Sequence, residues 1–107
     1  MDFQAFINKA IADNPIEAKL VRKVVRALAK AGHPVSSVWD GVETTSVRTE
    51  RDIMEQVFNL DEAFLQTEDD NWVRLTMGNE WDVITDYTTD LEAALQPVSD
   101  YIDKHQQ

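Results

Sequence analysis

The chain has 107 residues, 43% of them apolar and 28% charged, with no cysteine and a formal net charge of -10 at pH 7. This composition indicates neither disorder nor a membrane span and fits a single domain, residues 1 to 107, built around one core. Lack of cysteine excludes disulfides, thiolate metal sites and cysteine nucleophiles, and the surplus of acid sets the whole-molecule field against nucleic acid and anionic membranes.

The N-terminus opens on Asp2, where a secretory signal would carry positive charge, so a cytoplasmic protein is expected. From Asp2 to Ala12, apolar residues fall at Phe3, Phe6, Ile7, Ala10 and Ile11, the spacing of an amphipathic helix. A second helix starts at Asn14-Pro15-Ile16-Glu17. Asn14 suits the cap, Pro15 the first helical position, where its missing N–H is harmless, and Glu17 the capping-box partner. It runs to about Ala31 and stops at Gly32, with Pro34 blocking continuation. Leu20, Val21, Val24, Ala27, Leu28 and Ala31 form its core stripe. Lys19, Arg22, Lys23, Arg26 and Lys30 share the other side, half of the ten basic residues in the chain.

Val35 to Trp39 and Val42 to Val47 flank Asp40-Gly41, a dipeptide suited to a two-residue type I′ hairpin. Thr49 and Asp52 make a capping box for a third helix whose apolar side is Ile53, Met54, Val57, Phe58 and Leu60. Glu62 to Thr67 reads as a strand that turns at Glu68-Asp69-Asp70-Asn71 into a second, Trp72 to Met77. In that second strand Val73, Leu75 and Met77 face the core, and Trp72, Arg74 and Thr76 face away. A third strand, Trp81 to Tyr87, follows a three-residue loop Gly78-Asn79-Glu80, which sets Met77 opposite Trp81 and Leu75 opposite Val83. One residue of slip would invert a whole face. Thr89 and Glu92 then cap a last helix, kinked at Pro97, with Leu91, Ala94, Leu95, Val98 and Ile102 in phase.

The charge is uneven. Residues 1 to 60 carry eight acids and eight bases, whereas residues 61 to 107 carry twelve acids and only Arg74 and Lys104. The basic face of the second helix reads first as a solvated surface or one paired with acids, and second as a phosphate-binding ridge. It lacks the interleaved aromatics and Gly-rich turn that such ridges usually add. His33 and His105 stand at no ligand spacing, so no metal and no cofactor are expected, and no catalytic residue is assigned. Glu68-Asp69-Asp70-Asn71 lacks the ligand spacing of a calcium loop and reads as a solvated turn. Arg74, Asp82 and Asp86 are placed on one sheet face, and Trp72 beside Arg74 resembles a binding hot spot.

Residues Asn71 to Glu92 resemble the C-terminal signature of a family of small uncharacterised proteins encoded in phage and prophage genomes. The shared features are a Trp-Val strand (Trp72, Val73), a Gly-Asn turn (Gly78, Asn79) and the continuation Asp82-Val83-Ile84, Asp86-Tyr87-Thr88, Leu91-Glu92. Val38-Trp39-Asp40-Gly41-Val42-Glu43 is similar to the aromatic-Asp-Gly-Glu turn further upstream in that family. Asn71 departs from it, standing where glycine precedes the Trp. The resemblance implies a mobile-element origin and carries no reaction or site residues with it.

The expected fold is α+β: a small antiparallel sheet, made of a hairpin and a three-stranded meander, packed on one face by about four helices. The expected function is non-enzymatic binding of a protein, a host protein among the candidates, through the acidic second half, in one form by mimicry of nucleic-acid charge. Trp72, Arg74, Asp82 and Asp86 are the candidate binding residues, and Lys19, Arg22, Lys23, Arg26 and Lys30 the second candidate surface. Self-association as a homodimer is the alternative, and a small enzyme using carboxylates the second alternative. No membrane partner is expected, and direct nucleic-acid binding is disfavoured.

Overall fold

The computed structural model describes residues 2–106. Two helices lead, α1 (Phe3–Asp13) and α2 (Pro15–Lys30), followed by strands β1 (Val35–Trp39) and β2 (Thr44–Ser46) and helix α3 (Glu50–Val57). Strands β3 (Glu62–Thr67), β4 (Trp72–Thr76) and β5 (Ile84–Tyr87) come next, then a 3-10 turn at Thr89–Leu91 and helix α4 (Glu92–His105). The strands form one antiparallel sheet in the order β2-β1-β3-β4-β5. The hairpin and the meander are therefore joined through β1 and β3, and the fold is α+β, as expected from sequence.

Helix α2 is the axis of the core. Its buried residues Ala18, Leu20, Val21, Val24, Val25 and Leu28 cluster with Val38, Ala63, Leu65, Val73 and Leu75 of the sheet, and α1, α3 and α4 each contact it. Local chemistry sets its end: Gly32 takes φ +88°, His33 N–H donates to Leu28 O at 2.8 Å and Gly32 N–H to Ala29 O at 3.1 Å. Those are the two bonds of a Schellman motif, which only a residue without a Cβ closes without strain. Helix α3 opens on the expected capping box. Thr49 Oγ1 accepts from Asp52 N–H at 3.1 Å and Asp52 Oδ2 accepts from Thr49 N–H at 3.2 Å.

Several details depart from the sequence reading. Phe3 and Phe6 are not core residues; they are 51% and 48% exposed, and Ile7 is the buried residue of α1, with Ala10 and Ile11 packed beside it. Successive residues turn by about 100°, which puts Phe6 a quarter-turn away from Ile7. Asn14 makes no side-chain capping bond to α2 and instead donates to Ala10 O of α1 at 2.7 Å. The turn after β1 holds four residues, since Trp39 pairs with Thr44. Asp40 Oδ1 accepts from Val42 and Glu43 N–H at 2.8 and 2.7 Å, and these side-chain bonds replace the type I′ geometry.

The connection between β4 and β5 is the largest correction. Leu75 pairs with Ile84, Arg74 with Asp86 and Val73 with Tyr87, with a bulge between Arg74 and Leu75. Residues 77–83 form a long loop instead of three residues between long strands. Gly78 and Glu80 take φ +104° and +52° within it, Val83 is fully buried, and Trp81 has left the sheet to lie 6.3 Å, centroid to centroid, from Tyr101 of α4. At the next junction Thr89 starts the 3-10 turn, and neither that turn nor α4 has a side-chain capping bond. Helix α4 runs unbroken through Pro97, as one helix.

Candidate functional site

The face of the sheet turned away from the helices is assembled by strand register. Directly paired residues on neighbouring strands project to the same side. One row across all five strands reads Thr44, Trp39, Phe64, Arg74, Asp86. The next reads Ser46, Ser37, Gln66, Trp72. Trp39 and Phe64 are 4.9 Å apart between ring centroids, and Phe64 and Trp72 5.7 Å. These three half-buried rings form a ridge over β1, β3 and β4, and none of them belongs to the hydrophobic core cluster. Their interplanar angles of 49° and 65° tilt the first pair and set the second edge to face. The surface is a ridge of ring edges and faces, unlike the flat platform on which successive bases stack.

Polar groups frame the ridge. Arg74 Nη2 donates to Glu62 Oε2 at 2.7 Å, so this base is paired with an acid on β3. The Nε of Arg74 is shielded from solvent and has no acceptor among the described residues, an unmet donor of a kind that costs about 1–3 kcal/mol when left alone. Ser37 Oγ donates to Gln66 Oε1 at 2.9 Å, and Thr76 and Thr85 hydroxyls are 3.0 Å apart near the β5 edge. Trp72, Arg74 and Asp86 are thus brought together as the sequence indicated. Asp82 is not: it lies in the β4–β5 loop, where its N–H donates to Asn79 O at 3.2 Å.

The ridge ends at the β3–β4 turn, where a cavity of about 360 Å³ is lined by Ser37, Gln66, Glu68, Asp70 and Trp72 among others. The turn is held from within. Asp69 accepts from the Thr67 hydroxyl, from Asn71 Nδ2 at 3.1 Å and from His33 Nδ1 at 2.6 Å. The Thr67 hydroxyl, then the His33 contact, hold the Asp69 carboxyl below the usual aspartate range. His33, the residue after the α2 cap glycine, is therefore a strap between α2 and this turn. Asp70 adopts φ +64°, and among the described residues neither Glu68 nor Asp70 forms an ion pair.

The basic face of α2 is largely engaged within the molecule. Lys23 Nζ lies 4.2 Å and Lys19 Nζ 5.3 Å from the centroid of the Tyr101 ring. Arg26 makes two bonds to Glu50 of α3, at 2.7 and 3.0 Å. Arg22 lines a cleft between α1 and α3 together with Glu50 and Glu55, and Lys30 is exposed beside Ala27 and Pro97. These residues are spread over three neighbours and do not converge on one point. Among the described residues no group of three or more His, Asp or Glu side chains is arranged to hold a metal ion, and no helix is long and apolar enough to cross a membrane.

Trp39 and Phe64 were missed as site residues. The signal was present in β3, where Ala63, Leu65 and Thr67 alternate as the buried set; Phe64, out of phase with them, had to face the other way. The chain matches no family model, no curated protein and no solved structure.

Proposed function

We propose that the protein is a cytoplasmic, non-enzymatic binding protein that engages another protein through the open face of its sheet. The observation that carries this reading is the Trp39–Phe64–Trp72 ridge: three aromatic side chains on adjacent strands, outside the core, around Arg74 and its unmet donor. Aromatic and arginine side chains at the centre of a patch are the usual anchors of protein interfaces. The acids of the second half contribute Glu62 and Asp86 to this face and Glu68 and Asp70 to its end; Asp69 is engaged within the β3–β4 turn, and the others lie before β3, in the β4–β5 loop, in the 3-10 turn and on α4. The aromatic ridge, more than a regular array of carboxylates, therefore defines the surface, which favours this form over charge mimicry. The resemblance to phage and prophage proteins supports an accessory role in that setting, with a host protein as partner.

The test compares the wild-type protein with a Trp39→Thr/Phe64→Thr variant as bait, because threonine keeps strand preference while removing the rings. A partner captured by the wild type and lost by a variant of unchanged circular dichroism is the expected result. An identical set of partners from both baits would overturn the reading.

A further inference from the structure

Resting on that reading, we propose that the cavity where the aromatic ridge meets the β3–β4 turn receives an arginine or lysine side chain of an extended partner segment. Three features point to a cation. Trp72 is among the residues that line the cavity, and an indole attracts a cation placed over its ring through its quadrupole. Its rim carries Glu68 and Asp70, two carboxylates with no ion-pair partner among the described residues, whereas the neighbouring Asp69 is already engaged by His33, Thr67 and Asn71. Arg74, the one base among the paired strand residues of this face that the structure describes, is bonded to Glu62 and so offers reduced repulsion to an incoming positive charge.

The remaining wall supplies acceptors of the right kind. Gln66 Oε1 already takes a bond from Ser37 and keeps a second lone pair, matching the several N–H groups of a guanidinium. A cavity of about 360 Å³ has room for one such head group and part of its stem. The chain as a whole, at -10, would draw a basic segment toward this face before contact. A peptide that crosses the ridge and places its cation in the cavity uses both parts of the surface at once.

The probes are three synthetic peptides of alternating glycine with arginine, lysine or citrulline, the last matching arginine in shape without its charge. Binding is followed by tryptophan fluorescence and calorimetry at low and high salt. The proposal expects the arginine and lysine peptides to bind, the citrulline peptide to bind at least about tenfold more weakly, and salt to weaken the first two. The comparison of arginine with lysine shows which head group fits better. Two variants locate the site. Trp72→Leu keeps an apolar side chain without a π face. Glu68→Gln/Asp70→Asn removes the charges and leaves the turn intact, since asparagine tolerates the left-handed backbone at position 70. Each should reduce affinity about tenfold with thermal stability unchanged. Equal binding of the arginine and citrulline peptides, no binding of any of them, or variants that bind like the wild type would overturn the proposal. If partner capture still depends on Trp39 and Phe64 while these variants change nothing, the cation site falls and the ridge stands. If capture is independent of the ridge, the underlying reading falls instead.

Discussion

Glu17, 3% exposed in the first turn of α2, accepts a 2.6 Å hydrogen bond from the backbone N–H of Gly78, 61 residues later in the β4–β5 loop. A carboxylate at this position normally serves its own helix N-terminus. Here it serves a loop whose glycine, at φ +104°, turns its N–H inward. The bond is charge-assisted and shielded, so it belongs to the class worth about 1.5–3 kcal/mol. Glu17→Ala is expected to lower unfolding free energy by about 2 kcal/mol in urea titration. Backbone amides from Gly78 to Val83 should exchange faster, with those of β3 unaffected. Uniform protection in the variant would show that the loop is held by other means.

Acid should weaken the protein through three aspartates. The N–H groups of Glu43 and Val42 lower the Asp40 carboxyl, those of Arg48 and Thr49 lower Asp52, and the Thr67 hydroxyl followed by His33 lowers Asp69. A carboxyl depressed in the folded state contributes stability that is complete above its unfolded value, about 3.9, and that disappears as pH falls through the folded value. Stability should therefore decline below about pH 4, and Asp52→Asn should both lower the plateau at neutral pH and flatten the acid limb. Carboxyl NMR titration should find these three among the last aspartates to protonate.

The capping box of α3 gives a cleaner local test, because Thr49 is not itself titratable. Thr49→Ala removes the acceptor for Asp52 N–H and should cost about 1 kcal/mol. Thr49→Ser should restore most of it. A serine variant no better than alanine would mean that the threonine methyl, and not its hydroxyl, is what matters.

Lys23 above Tyr101 links α2 to α4. A double-mutant cycle of Lys23→Met and Tyr101→Leu should return a coupling of about 0.5–1 kcal/mol. Additive effects would show that the two side chains are neighbours without attraction, and would leave Lys23 free for another role.

The aromatic ridge should be coupled as well. A cycle of Trp39→Leu and Phe64→Leu is expected to give about 0.5–1.5 kcal/mol beyond the loss of area. A coupling near zero would identify rings held in place by the sheet alone.

Where a signal was local, it was legible. Gly32 and the Thr49/Asp52 pair mark helix ends by bonds made within a few residues, Pro15 does so by its fixed φ and missing N–H, and the alternation of Ala63, Leu65, Val73 and Leu75 gives the buried side of β3 and β4. The long loop after β4 was not legible, because its conformation depends on Glu17 and on the meeting of Trp81 with Tyr101, both remote in sequence. The same distance effect hid the open face. Trp72 and Arg74 are neighbours on one strand and could be paired by counting, but their contacts to Phe64 and Glu62 depend on the β3–β4 register. Asp82 falls outside the sheet because β5 begins only at Ile84, and the bulge opposite Arg74 shifts the alternation within that strand.

Both margins of the sheet are short. On one side β2 offers three exposed residues, and on the other β5 offers four beside a bulge that includes Asp86. Short, charged and bulged edges resist pairing with a further strand. Growth of the sheet by edge-to-edge pairing of two copies is therefore disfavoured at both margins. With so little ladder left open at either margin, the sheet meets its surroundings chiefly through the side chains of its middle strands.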